Sequence, residues 1–143
     1  MDIKEELMTN FNEYLYVYGL HDCEVSSITF KNNCLFFHFV SGVYLLDKNK
    51  KESQRTSECA MCIEIENFDY QNKEDRLEVF RIFKGKIKEI KFDSLIKTTE
   101  KYKFDINVNY FSGFGNSILL DGYSSKYRYQ IHISEIKKIS FIF

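Results

Sequence analysis

Short runs in which apolar and polar residues alternate recur along almost the whole chain, and they constrain its fold more than any other feature. Alternation with a period of two is typical of strands that bury one face. The runs are CEVSSITF, CLFFHFV, VYLLD, CAMCIEIENF, LEVFRIF, KIKEIKF, FDINVNYF, ILLDGYSSKYRYQIHI and IKKISFIF. They add up to about eight to ten strands, and short consecutive strands favour antiparallel pairing. In FDINVNYF, the residues expected to face inward are Phe104, Ile106, Val108 and Tyr110.

Two segments have the spacing of a helix instead. The apolar stripe in residues 2–18 recurs at intervals of three and four and consists of Ile3, Leu7, Phe11, Tyr14 and Tyr18. It predicts an N-terminal helix, for which Gly19 supplies a left-handed stop. A second, short helix is predicted over residues 94–103, with Asp93 as its cap. We therefore predict one α+β domain over residues 1–143, in which a largely antiparallel sheet, a half-barrel or two layers, carries both helices.

Composition argues against several classes of function. The net charge of −1 argues against general nucleic-acid binding, which needs a basic face to displace counterions from phosphates. No apolar run is long enough to span a bilayer, so we expect no membrane partner. The acidic opening MDIKEELMTN does not have the form of a secretory signal. The four cysteines are then expected to be reduced thiols in the cytoplasm.

Cys59 and Cys62 form a C-x-x-C pair, which is the spacing of half a zinc site and of a thioredoxin-type redox site. The sequence holds no second such pair, and no helix pattern opens at Cys59, as a low thiol pKa would need. If the segment is a strand, its period of two places the thiols on opposite faces, where they cannot chelate one ion. We therefore expect packed thiols, with no metal and no cofactor.

The segment GLHDCEV brings His21, Asp22 and Cys23 side by side before a strand-like run. A catalytic fragment is one interpretation, but adjacent residues point in different directions, so partners would have to come from elsewhere. The interpretation that we favour is a structural corner, in which Asp22 accepts backbone N–H bonds and His21 either contacts a carbonyl group or lies over the helix end, where positive charge is favourable. No catalytic residue is assigned, and His21 with Asp22 is the candidate corner.

Three aromatic residues lie in segments that are expected to be polar loops or turns. They are Tyr70, Phe114 and Tyr123. Exposed tyrosine and phenylalanine side chains are typical of protein contacts, because they offer a large apolar area. We treat these three as candidate contact residues.

The stretch LHDCEVSSITFKNNCLFFHF resembles the opening of several uncharacterised families of small bacterial proteins. Their pattern is a helix, a leucine or phenylalanine, His-Asp, a small residue, an acid and a valine, followed by a β-hairpin. The matching positions are Leu20, His21, Asp22, Cys23, Glu24 and Val25. Some proteins of this kind are similar to immunity proteins encoded beside bacterial toxins. The resemblance covers about the first forty residues and implies a cytoplasmic α+β protein with a binding role.

The sequence favours a non-enzymatic protein-binding module. An immunity protein is one form that such a module can take. The expected partner of the module is another protein, and its oligomeric state stays open. The alternative is a ligand-binding or hydrolytic protein with a pocket between helix and sheet, near His21 and Asp22, with Cys23 at the rim. A structural subunit of a larger assembly is the third interpretation.

Overall fold

The computed structural model describes residues 5–8, 17–112 and 116–143, and most of these residues lie in antiparallel β-sheet. Strands account for 59% of the structure. Within the described ranges there is one α-helix, α1 (Phe92–Lys101), and a 3-10 turn at Tyr70–Asp75. The predicted α+β class is therefore wrong, because the protein is mostly β.

Three antiparallel sheets make up the described part of the chain. Their strands are β1 (Glu5–Met8), β2 (Tyr18–Gly19), β3 (Glu24–Val25), β4 (Ser27–Lys31), β5 (Cys34–Phe39), β6 (Tyr44–Leu46), β7 (Glu52–Arg55), β8 (Cys59–Ile65), β9 (Leu77–Phe83), β10 (Lys86–Ile90), β11 (Phe104–Ser112), β12 (Ser117–Ser124), β13 (Tyr127–Ile133) and β14 (Ile136–Ile142). The five-stranded sheet has the order β1-β14-β8-β5-β4, and the six-stranded sheet has the order β10-β9-β13-β12-β11-β3. The three-stranded sheet has the order β2-β6-β7.

The predicted N-terminal helix over residues 2–18 is wrong, because two strands lie within that range. Glu5–Met8 forms β1 and pairs with β14, while Tyr18–Gly19 forms β2 and pairs with β6. The other positions of that prediction lie outside the described residues, apart from Val17, a single helical residue before β2. Gly19 is not left-handed, and the left-handed residue of this segment is Asp22. Pairing with a distant strand outweighs a local apolar spacing, which by itself is a weak preference.

Two tight turns set the register of their hairpins. Asn32 and Asn33 connect β4 to β5 with φ angles of 50° and 64°, and Lys84 and Gly85 connect β9 to β10 with 50° and 78°. Two consecutive left-handed residues are the signature of the type I′ turn, whose twist matches that of the paired strands. Asparagine and glycine tolerate this conformation, which explains why the chain reverses at these points.

One apolar core joins the five-stranded sheet, the six-stranded sheet and α1. Fully buried side chains from all three elements belong to it, including Phe37, Phe141, Ile131, Leu120 and Leu95. Burying a side chain of this size stabilises the fold by about 1.5–3 kcal/mol. The core therefore covers one face of the six-stranded sheet and leaves the opposite face to solvent.

The short helix α1 begins earlier than its sequence indicated. Its N-cap is Lys91, which makes no side-chain capping bond, so the predicted cap Asp93 lies inside the first turn. There Asp93 pairs with Lys73 Nζ at 3.3 Å, in the 3-10 turn. An acidic side chain in the first turn is favourable next to the positive end of the helix dipole.

A β-bulge in β11 reverses the alternation of that strand. The pairing with β12 steps from Ile106 to Val108 while the partner strand advances by one residue, so Asn107 is the extra residue. Ile106 is 1% exposed, whereas Val108 is 50% and Tyr110 is 66% exposed. The prediction that Val108 and Tyr110 face inward is therefore wrong. A Cβ atom on Gly122, opposite Ile106, would collide with the Asp105 carbonyl oxygen, so this approach of the strands requires glycine.

Candidate functional site

The solvent-facing side of the six-stranded sheet carries most of the exposed apolar side chains that the structure describes. Six large apolar side chains are exposed in the described residues, and four of them, Ile87, Val108, Tyr110 and Tyr123, belong to this side. The register assigns them to it, because directly opposite residues of antiparallel strands share a face. We call this surface the outer face, and its residues are Glu78, Phe80, Ile82, Ile87, Glu89, Asp105, Val108, Tyr110, Leu119, Asp121, Tyr123, Arg128, Gln130 and His132.

A shallow groove of about 420 Å³ crosses one end of the outer face. It is lined by Phe80, Tyr110, Ser112, Ser117, Leu119, Gln130 and His132. Its walls combine two aromatic rings with hydroxyl, amide and imidazole groups, so the groove offers apolar area together with polar groups that can orient a ligand. That combination is typical of binding surfaces.

A buried carboxylate stabilises the centre of the outer face. Asp121 is 6% exposed and accepts hydrogen bonds from Arg128 Nε at 2.8 Å and from Gln130 Nε2 at 2.9 Å, while Arg128 Nη2 donates to its second oxygen. Burial acts to raise the pKa of Asp121, but the bonds from Arg128 and Gln130 and the charge of Arg128 together lower it below its ordinary value. The fork of hydrogen bonds fixes three neighbouring side chains of the outer face in one arrangement.

Carboxylates occupy the edges of the outer face. Asp105 lies directly opposite Glu24 on the neighbouring strand. Burial raises the pKa of Asp105, and the negative charges of Glu24 and Asp22 raise it further. Glu78 is half-exposed on the far side, with Oε1 at 3.7 Å from His132 Nδ1. The outer face therefore combines exposed apolar side chains with a central Asp121–Arg128–Gln130 cluster and an acidic rim.

The His-Asp-Cys segment forms a tight turn at one corner of this sheet. The Cys23 amide donates to the Leu20 carbonyl oxygen (3.0 Å), and Asp22 has a φ of 61°. The backbone of Asp22 joins two other elements: its amide donates to the Ile106 carbonyl oxygen (2.8 Å), and its carbonyl oxygen accepts a bond from Arg55 Nη2 (3.2 Å). Asp22 thus connects β11 to β7 through its backbone.

The side chains of this corner point in different directions. The Asp22 carboxylate is 67% exposed and lies 3.3 Å from His21 Nδ1, which is also 3.6 Å from Glu52 Oε1. Asp22 lines a small pocket of about 170 Å³ with Asp105, Ile106, Asn107 and Tyr123. The Cys23 thiol is buried and lies 3.6 Å from the carbonyl oxygens of Gly19 and His21.

This geometry disfavours a nucleophilic role for Cys23. Burial raises the pKa of its thiol to about 11, although the nearby charge of Arg55 acts in the opposite direction. The protonated thiol is a poor nucleophile, and its side chain lies in the core, whereas the Asp22 carboxylate faces solvent. The pocket beside Asp22 therefore has no activated nucleophile among the described residues.

Cys59 and Cys62 both lie in β8 and are both buried. The register pairs Cys59 with Phe39 and Cys62 with Phe36 along β5, without a shift between them, so the two thiols project to opposite faces. Burial raises the pKa of Cys59. Within the part of the chain that the structure describes, no group of three His, Cys, Asp or Glu side chains could hold a metal ion.

The three candidate contact aromatics have different positions. Tyr123 is 50% exposed and belongs to the outer face. Tyr70 begins the 3-10 turn, but its side chain is outside the described set, and Phe114 lies in residues 113–115, which are also outside it. Sequence reasoning missed Val108 and Tyr110. The available signal was Gly122 within a strand pattern, because an isolated glycine there indicates a bulge or a close backbone approach.

Comparisons with known proteins place no family name on this architecture. No family model matches the sequence, and no match was found among curated proteins or solved structures. Among the helical residues that the structure describes, no segment is long and apolar enough to cross a membrane. The fold and the site define a mostly β protein of three antiparallel sheets with an exposed apolar face and an acidic rim.

Proposed function

We propose that the protein is a non-enzymatic protein-binding module and that its partner docks on the outer face. The observation that carries this proposal is that four of the six exposed large apolar side chains among the described residues lie on one side of one sheet. Singly scattered apolar side chains are ordinary on a protein surface, whereas a contiguous group marks an interaction surface. Val108, Tyr110 and Leu119 form such a group on the neighbouring strands β11 and β12. The core of an interface is rich in aromatic residues, as Tyr110 and Tyr123 provide. The charges at the centre of the outer face, Asp121 and Arg128, are already paired with each other.

The charges of the outer face indicate the chemistry of the partner. Glu78, Glu89 and Asp105 are exposed at its edges, and Glu24 lies beside Asp105. A partner with an apolar patch flanked by lysine or arginine side chains would complement both features. Such complementarity accelerates association and excludes acidic competitors. It would also relieve the repulsion between Glu24 and Asp105, since like charges directly opposite each other in a sheet are unfavourable.

An immunity-type inhibitor in the cytoplasm is the specific form of this proposal. The resemblance of Leu20–Val25 to families that include relatives of toxin immunity proteins supports it, and the acidic rim suits a toxin with a basic surface. A toxin encoded beside this gene would be the natural first partner to examine.

The experiment that tests the proposal is affinity capture from the native cell with a matched set of variants. The bait is the full chain, and the test variant is Val108→Ser with Tyr110→Ser. The control variant is Val40→Ser with Tyr102→Ser, because in the described part of the chain these are the two exposed large apolar residues away from the outer face. We expect the test variant to lose the captured protein and the control variant to retain it.

Two further measurements decide the outcome. Binding of the purified partner should weaken as salt rises from about 50 to about 200 mM, because exposed charges are screened over this range. Circular dichroism should show that both variants are folded. A partner that binds both variants equally, or that carries an acidic contact surface, would show that the outer face is not the docking site.

A further inference from the structure

A second surface lies at the edge of the six-stranded sheet, on the side opposite the outer face. The β9–β10 hairpin extends beyond the core there, since Leu77 and Val79 are buried whereas Arg81 and Phe83 are only half-buried. A cleft of about 490 Å³ opens along it and is lined by Arg81, Phe83, Lys86, Ile87, Lys88 and Tyr127. Lys84 and Lys126 stand beside its rings. We call this surface the basic cleft.

Positive charge is concentrated in the basic cleft without a matching negative charge. Its cations are Arg81, Lys84, Lys86, Lys88 and Lys126, a quarter of the 20 lysine and arginine residues in a chain of net charge −1. None of the five forms an ion pair with a described residue. Lys88 lies directly opposite Arg81 on the neighbouring strand, an unfavourable like-charge pair. An anionic ligand would remove that repulsion.

Two aromatic rings hold several of these cations in place. The Arg81 guanidinium lies 4.9 Å from the centre of the Tyr127 ring, and Lys84 Nζ lies 5.2 Å from that of Phe83. Lys126 Nζ is 5.5 Å from Tyr127 and 5.6 Å from Phe83. Cations above the rings occupy the faces on which nucleobases would stack. The cleft is thus better suited to carboxylates than to a nucleic-acid strand.

The basic cleft runs along β10, which is an edge strand of the sheet. β10 is the first strand of the sheet order, so its outer side has no neighbouring strand among the described residues. Lys86 and Lys88 are two positions apart and share a face. Lysines on an edge strand commonly serve to discourage aggregation. Here they also border an open cleft together with Arg81, which edge protection does not require.

We propose that the basic cleft binds an extended, acidic segment of a protein partner, which pairs with β10 and presents carboxylates at alternate positions to Lys86 and Lys88. Strand addition at an exposed edge supplies backbone hydrogen bonds, and the alternate side chains supply specificity. A segment with glutamate at every second position matches the period of the two lysines. Apart from Ile87, which borders both surfaces, the site lies on the side of the sheet opposite the outer face and does not depend on it.

The test measures fluorescence anisotropy of a labelled peptide in which glutamate alternates with threonine. The matched probe has glutamine in place of glutamate, and a second probe has the same composition with its glutamates in one block. We expect the alternating glutamate peptide to bind most tightly. The variant Lys86→Glu with Lys88→Glu should weaken that binding by about tenfold or more, because each attraction becomes a repulsion. The control variant Lys48→Glu with Lys51→Glu makes the same charge change in the β6–β7 turn and should bind normally.

Several results would overturn the proposal. They are equal binding by both charge-reversed variants, preference for the glutamine peptide, and no binding at about millimolar peptide, where even weak complexes are populated. Tighter binding of a thymidine oligonucleotide or of inorganic phosphate would show a different ligand class. If circular dichroism shows that the double variant is unfolded, the single variant Lys88→Glu is tested in its place. The variant Val108→Ser with Tyr110→Ser should keep peptide binding, which separates this proposal from the outer-face proposal.

Discussion

The two halves of β11 have the same alternating sequence but different roles. Before the bulge, Phe104 and Ile106 are buried at 0% and 1% exposure. After it, Val108 and Tyr110 are the residues that a regular strand would bury, and they are 50% and 66% exposed. One extra residue converts a core strand into part of a surface, because a shift of one position exchanges the two faces of a strand.

Replacing Gly122 should disrupt the bulge that creates this contrast, and we expect it to have the largest effect on stability. In Gly122→Val, the new side chain would collide with the Asp105 carbonyl oxygen, which is backbone and cannot rotate away. We expect a loss of about 4 kcal/mol in the free energy of unfolding, at the upper end for overpacked sites. Urea denaturation measures it. Gly85→Asn is the control, because nothing lies near its Cβ position and asparagine tolerates its positive φ. A stable Gly122→Val protein would mean that the strands do not approach as described.

The contrast between the two halves can be measured directly with two truncations. Ile106→Ala should lower the free energy of unfolding by about 3 kcal/mol, because it leaves a cavity in the core. Val108→Ala should change it by less than about 0.5 kcal/mol, because the side chain is half in solvent. Thermal or urea unfolding of both variants is sufficient. Equal losses would mean that Val108 is packed in the core and that the bulge does not expose it.

The strands were largely accessible to sequence reasoning, because the alternating runs correspond to real strands and Asn32-Asn33 and Lys84-Gly85 are turn signals with a local cause. The direction in which the side chains of β11 point after the bulge could not be predicted from the sequence. That direction depends on the approach of Gly122 to Asp105, which brings together residues distant in sequence. The helix prediction at Glu5–Met8 was wrong for a similar reason, because pairing with β14 determines the conformation of that segment.

The candidate site shows the same limit. Asp22 was expected to act through its carboxylate, whereas the described contacts of its backbone join β11 to β7. Tyr123 was identified from its position in a polar turn, and the structure places it on the outer face. Val108 and the basic cleft were missed. The exposure of Val108 depends on the bulge in β11, and the cleft needs Tyr127 of β13 beside the β9–β10 hairpin.

Removal of Asp121 should weaken the half of the sheet that follows the bulge. Asp121→Ala leaves Arg128 and Gln130 without their shared acceptor, and we expect a loss of about 2 kcal/mol at neutral pH. The pKa of the folded carboxyl lies below its ordinary value of 3.8, so its contribution is present above that value and is lost as the pH falls through the folded pKa. Unfolding measured between neutral and acidic pH should therefore show the two proteins converging. A constant difference would show that packing, and not charge, is responsible.

Substitutions of Asp22 should separate backbone conformation from side-chain chemistry at the corner that holds Ile106. Asp22→Ala should cost about 1 kcal/mol, because alanine is unfavourable at a φ of 61°. Asp22→Gly should be within about 0.5 kcal/mol of wild type, because glycine adopts this conformation freely. The exposed contact with His21 contributes little. Equal losses in both variants, measured by urea denaturation, would instead assign the stabilisation to the carboxylate.

The smallest effect is expected at Asp105, on the half of β11 before the bulge. Burial and the charges of Glu24 and Asp22 raise its pKa, so the ionised form is unfavourable in the folded state. The penalty is present at neutral pH and disappears as the pH falls below the raised pKa, where the folded carboxyl is protonated. Asp105→Asn should therefore raise the melting temperature slightly at neutral pH and leave it unchanged in acid. The opposite sign at Asp121 makes the pair informative, because two carboxylates on one face then respond oppositely to acid. A lower melting temperature for Asp105→Asn at neutral pH would mean that its charge already has a favourable partner and that the acidic rim is not available to a basic protein.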